Sequence, residues 1–81
     1  MTDARMTIMA LLMARPQGTT ICPSETARKM TPGTGWRRMM RDVHGAVDEM
    51  VADGLVELSW KGQMLRTRRG PYRIAARRHS S

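Results

Sequence analysis

Residues 35–53 sort cleanly at helical period. Trp36, Met39, Met40, Val43, Ala46, Val47, Met50 and Val51 fall on one face. Arg37, Arg38, Arg41, Asp42, Gly45, Asp48, Glu49 and Asp53 fall on the other. Such a segment predicts a helix with one wall in a core and the other free. The polar wall is divided along its length, with arginines in the first turns and mostly acids later. That order opposes the helix macrodipole, which favours acids early and bases late, by roughly 0.3–1 kcal/mol per exposed charge. Helix stability alone does not select it; presentation of a positive N-terminal end to an anion does.

The remaining pattern predicts shorter elements around this helix. Thr2 or Asp3 can cap a first helix reaching to about Ala14, with Ile8, Leu11 and Leu12 as its stripe and Met9 or Met13 widening it. Pro16 and Gly18 end it. Thr19-Thr20-Ile21 is β-prone and has room for one short strand. Pro23 suits the first position of a second helix, and Glu25 can reach back to an N-terminal amide. That helix runs to about Met30. Thr31-Pro32-Gly33-Thr34 breaks the chain, with Thr34 as cap for the long helix. Gly54 stops the long helix. Residues 55–60 alternate as a half-buried strand, with Val56, Leu58 and Trp60 on one side. Lys61-Gly62-Gln63 is a turn, Met64-Leu65 begins a returning arm, 67–70 is loop, and 71–75 is a last strand with Tyr72 and Ile74 on one face.

This order predicts an α+β, mainly α fold: a winged helix-turn-helix of three helices, a small C-terminal β-hairpin wing and a short strand between helices one and two. The domain is expected over 1–76, with 77–81 a disordered basic tail.

Eighty-one residues make one small domain with a thin core. That core has no Phe and one Tyr but nine Met, so methionine stands where leucine would serve. The net charge is +7, from 14 Lys+Arg against 7 Asp+Glu. Such a surplus calls for an anionic partner. The apolar run at 6–14 is too short to span a bilayer and lacks a cleavage motif, so no membrane association is expected and a cytoplasmic location follows. Cys22 is alone, which rules out an internal disulfide.

Catalytic chemistry finds little support. His44 sits at the edge of the apolar stripe with Asp48 one turn on, an ordinary surface pairing. Cys22 has no base or oxyanion site signalled in sequence. The spacing of Cys22, His44 and His79 makes no metal signature, and there is no phosphate-binding glycine motif. No enzyme activity, metal or cofactor is expected.

Duplex DNA finds more support. The second helix of a helix-turn-helix enters the major groove and reads bases with its N-terminal residues, here Arg37, Arg38 and Arg41. Arginine can grip guanine or phosphate in a bidentate fork. Residues 61–78 hold seven bases and no acid, and Lys61, Arg66, Arg68 and Arg69 are expected to track phosphates. Charge on a hairpin edge also discourages aggregation, which is the competing explanation. Asp48 and Glu49 would repel phosphate, so only the N-terminal half of the helix should touch DNA. The alternative partner is an acidic protein docking on the same basic face. No helix is spare for a dimer interface, so a monomer or weak dimer is expected.

The sequence resembles a bacterial family known as domain of unknown function 3253. The resemblance rests on Ile21-Cys22-Pro23-Ser24-Glu25 with Ala27-Arg28, Trp36-Arg37 followed by Met40, Lys61-Gly62, and Arg69-Gly70-Pro71 with Arg73. It covers nearly the whole chain. It implies a compact winged-helix domain and no particular activity. Arg41 stands where family members often have proline, which implies more regular first turns in the long helix. The loop between Lys61 and Arg69 is slightly short for the family.

Overall fold

The computed structural model describes residues 3–77. Three helices form first along the chain: α1 (Ala4–Met13), α2 (Pro23–Met30) and α3 (Trp36–Ala52). Three strands follow: β1 (Val56–Trp60), β2 (Gln63–Leu65) and β3 (Arg73–Ala76). The result is three helices plus a three-stranded antiparallel sheet, an α+β fold that is mainly α.

Local chemistry sets the helix boundaries. Asp3 caps α1, its carboxylate accepting from the Arg5 N–H at 3.0 Å. Thr2, the other candidate cap, lies outside the described residues. At the start of α2 the Glu25 carboxylate accepts from the Cys22 N–H at 3.0 Å. The Arg15 guanidinium also bonds Glu25. Arg15 first, then the Cys22 amide, holds the Glu25 carboxyl below the usual range. Thr34 does not cap α3. Residues 33–35 form a single 3-10 turn, and Gly35 takes the cap position with no side-chain bond. The tight turn winds directly into the helix and carries Thr34 inside it. From Trp36 onward α3 is unbroken, as arginine rather than proline at position 41 permits. Gly54, at φ 73°, ends the passage out of α3 in the left-handed region.

α3 packs against α1, α2 and β1. Its Val43, Val47 and Met50 are fully buried with Ile8 of α1, Ile21, Leu58 of β1 and Ile74 of β3. Each such side chain contributes about 1.5–3 kcal/mol by leaving water. Of the two methionines that could widen the stripe of α1, the structure selects Met9. Met9 packs at the core margin, whereas Met13 is 79% exposed and Met6 70%. Position 13 lies beyond the last core contact of a helix that is buried at Ala4, Thr7, Ile8 and Leu12.

The sheet differs from a simple two-stranded hairpin. β1 is central, with β2 on one side and β3 on the other. Trp60 pairs with Gln63 around a two-residue turn at Lys61 (φ 50°) and Gly62 (φ 81°). Both turn residues have positive φ, the signature of a type I′ turn, whose twist matches antiparallel strands. Gln63 is therefore in the strand rather than the turn. β3 pairs with β1 from Val56↔Ala76 to Ser59↔Arg73. The expected strand between α1 and α2 reduces to one bridge, with Ile21 and Ile74 exchanging two backbone hydrogen bonds of 2.8 Å. Arg73 clamps this junction by donating to the hydroxyl and carbonyl oxygens of Thr20. The Arg77 N–H still bonds the Leu55 carbonyl at 3.0 Å; the rest of the expected tail, 78–81, lies outside the described residues. Among the described residues no helix is long and apolar enough to cross a membrane.

Candidate nucleic-acid interface

The basic residues fall into two chemically distinct groups. The first bonds acids or the chain itself. Arg5 reaches from α1 to α3 and donates to Glu49 and Asp53, both at 3.0 Å. Arg68, in the connection from β2 to β3, donates to both oxygens of Asp48 at 3.1 and 3.2 Å. Arg15 is held by Glu25, and Arg73 by Thr20. These contacts consume the acids on the later turns of α3.

The second group makes no ion pair among the described residues. Arg37, Arg38 and Arg41 are exposed on the first turns of α3. Arg41 borders an open cleft of about 640 Å³ that also includes Arg5, Asp42, Gly45 and Glu49. A Cβ at Gly45 would meet nothing within 4 Å, so internal packing does not demand glycine there. Lys61 is exposed in the β1–β2 turn, and Arg66 and Arg69 are exposed in the β2–β3 connection.

The seven candidate residues are thus not equivalent. Arg37, Arg38 and Arg41 share one helical face. Arg66 and Arg68 sit beside the later turns of α3, where they line a shallow cleft with Asp48, Val51 and Ala52. Arg68 is paired with the Asp48 carboxylate. It holds the β2–β3 connection on α3 through a paired guanidinium–carboxylate contact.

Two contributors escape a reading by periodicity. Trp36 belongs to the apolar wall by spacing, yet it is only half-buried. The Arg28 guanidinium carbon lies 4.6 Å from the Trp36 ring centroid, and that of Arg37 lies 5.2 Å from it. Arg28 comes from α2, so the contact exists only because the α2–α3 turn closes. The pairing of Ala27-Arg28 with Trp36-Arg37 in the family resemblance was the available signal.

His44 and Cys22 serve other partners. His44 Nδ1 lies 2.6 Å from the Tyr72 hydroxyl rather than bonding Asp48, which Arg68 occupies. Burial, then the nearby Arg68 charge, lowers the His44 pKa; burial pushes the Tyr72 phenol up. Neutral His44 accepting from neutral Tyr72 satisfies both groups. The Cys22 sulfur lies 3.0 Å from the Ser24 hydroxyl. Among the described residues no three His, Cys, Asp or Glu side chains gather as a metal site.

No curated protein matches the sequence. A family model does match, over residues 2–77, which include the Arg28–Trp36–Arg37 corner and both groups of arginines. The chain belongs to the family described as protein of unknown function (DUF3253).

Proposed function

We propose that this protein is a winged helix-turn-helix that binds duplex DNA, as a cytoplasmic bacterial regulator. α2 and the first half of α3 form the helix-turn-helix, and the β1–β2–β3 region forms the wing. Arg37, Arg38 and Arg41 face the major groove, with Arg37 at its backbone edge. Lys61, Arg66 and Arg69 meet phosphates, and Arg68 is shared between Asp48 and the backbone.

One observation carries this reading. Glu49 and Asp53 are bonded to Arg5, and Asp48 to Arg68, while the three arginines at the other end of α3 bond no acid among the described residues. Among the described residues these pairs engage the acids of the later turns, and Asp42, next to Arg41, is the one acid of the arginine end. Positive charge concentrated on one helix end steers association with a polyanion.

Anisotropy titration of labelled duplexes at several salt concentrations tests it. The combined Arg37→Ala and Arg41→Ala change should lower affinity by roughly 10–100-fold for a preferred sequence and erase the preference. Arg66→Ala with Arg69→Ala should weaken all sequences alike. Micromolar or weaker binding without sequence preference, indifferent to the helix changes, would reject a specific regulator. Capture of an acidic protein by the same arginines, with no duplex binding, would reassign the face.

A further inference from the structure

We propose that Arg28, Trp36 and Arg37 form a clamp for one backbone phosphodiester of nucleic acid, seated at the α2–α3 corner. This rests on the duplex-binding reading: Arg38 and Arg41 keep the groove, while Arg37, at the start of that face, shares a backbone phosphate with Arg28 of α2.

Two guanidinium carbons from different helices lie over the same indole, at 4.6 and 5.2 Å from its centroid. They are therefore no farther apart than the sum of those distances. Neither bonds an acid among the described residues. Glu25, the acid of α2, is engaged by Arg15 and the Cys22 amide. The ring attracts each cation through its quadrupole, but the cations repel one another. A phosphodiester between or beside them removes that repulsion and accepts paired N–H donors from each fork. Stacking on Trp36 holds the forks before the anion arrives, which lowers the ordering cost of binding.

The surroundings favour nucleic acid over a lipid headgroup. Arg38 and Arg41 continue the cationic row along α3, and Lys29 flanks Arg28. A membrane site would set apolar side chains beside the cations. Among the described residues, the exposed large apolar side chains are instead Met6 and Met13 on α1, and Trp60 and Met64 on the β1–β2 hairpin.

The test uses the full chain with Trp60→Phe, which leaves Trp36 as the only tryptophan. Duplex binding should change its emission saturably. Arg28→Gln should weaken binding several-fold for every sequence and reduce the magnitude of the log K against log salt slope by about 0.9, one phosphate contact. Arg28→Lys keeps the charge but loses the stacked fork, so it should recover the slope and only part of the affinity. Thermal unfolding of each variant checks that the fold is retained. Duplex binding with slope and affinity unchanged in Arg28→Gln overturns the clamp and leaves the duplex reading standing. Wild-type affinity in Arg28→Lys also overturns it, because charge alone then suffices. No duplex binding by any form overturns the reading and the clamp together. A Trp36 response to phosphatidylglycerol vesicles but not to duplex overturns the nucleic-acid assignment.

Discussion

Over residues 36–42, α3 contributes no fully buried side chain, and its three arginines bond no acid among the described residues. Over residues 43–52 the same helix supplies Val43, Ala46, Val47 and Met50 to the core, and Asp48 and Glu49 are bonded from outside it. One continuous helix thus has an anchoring half and a presenting half. The charge order that opposes the macrodipole is tolerated because the anchoring half supplies the stability. Arg5 and Arg68 then place positive charge against the helix's acidic end from other elements. Tertiary ion pairs correct a conflict that the helix alone could not resolve.

Truncation gives the widest separation between the halves. Met50→Ala should destabilise by about 2–5 kcal/mol, since a fully enclosed site leaves a cavity. Met39→Ala, at a half-buried position in the presenting half, should cost far less. Equal losses in urea denaturation would break the division. Gly45→Ala should raise stability by about 1 kcal/mol, because the added methyl meets nothing and glycine is a poor helix former. If that variant also loses duplex affinity, a partner's backbone approaches there, and the presenting region extends past residue 42.

Releasing Arg68 should sharpen the comparison further. Asp48→Asn frees its guanidinium, and the salt dependence of duplex binding should steepen by about 0.9. In an Arg68→Gln background the same change should add no contact. An unchanged slope in both would make Arg68 a brace for the β2–β3 connection alone.

The smallest effect is in pH. Folding lowers the His44 pKa, so the unfolded chain binds more protons below its ordinary value of about 6.5. Stability is therefore fully present above pH 6.5 and declines as pH falls from there through the lower folded value. His44→Gln, which can still accept from Tyr72, should flatten that decline between pH 7 and 5. A wild-type profile that is already flat would mean that the anchoring half does not sense this proton.

Short-range features were legible. The spacing of Val43, Val47 and Met50 identified the buried wall, Glu25 its reach to the Cys22 amide, and Gly54 the end of α3. The alternation of Val56 and Leu58 identified the inner face of β1. The placement of Met13 outside and Thr34 inside a 3-10 turn was not legible. Periodicity ranks candidates for a stripe, but the extent of the neighbouring element decides where the stripe stops. The returning arm at Met64-Leu65 was legible, but the turn length was not: Gln63 joins the strand because Lys61 and Gly62 both take positive φ.

For the candidate interface, the sequence by itself determined which residues share the exposed face of α3 and that its charge runs against the dipole. Both follow from the repeat of the helix. Only the tertiary structure decided which charges remain available. Arg5 meets Glu49 and Asp53 across 44 and 48 residues, Arg68 meets Asp48 across 20, and Arg28 meets Trp36 through a closed turn. Local periodicity assigns a side chain to a face. Which faces meet depends on how the whole chain buries its core, and that is where the acids on the later turns of α3 were engaged and, among the described residues, its arginines left without an ion pair.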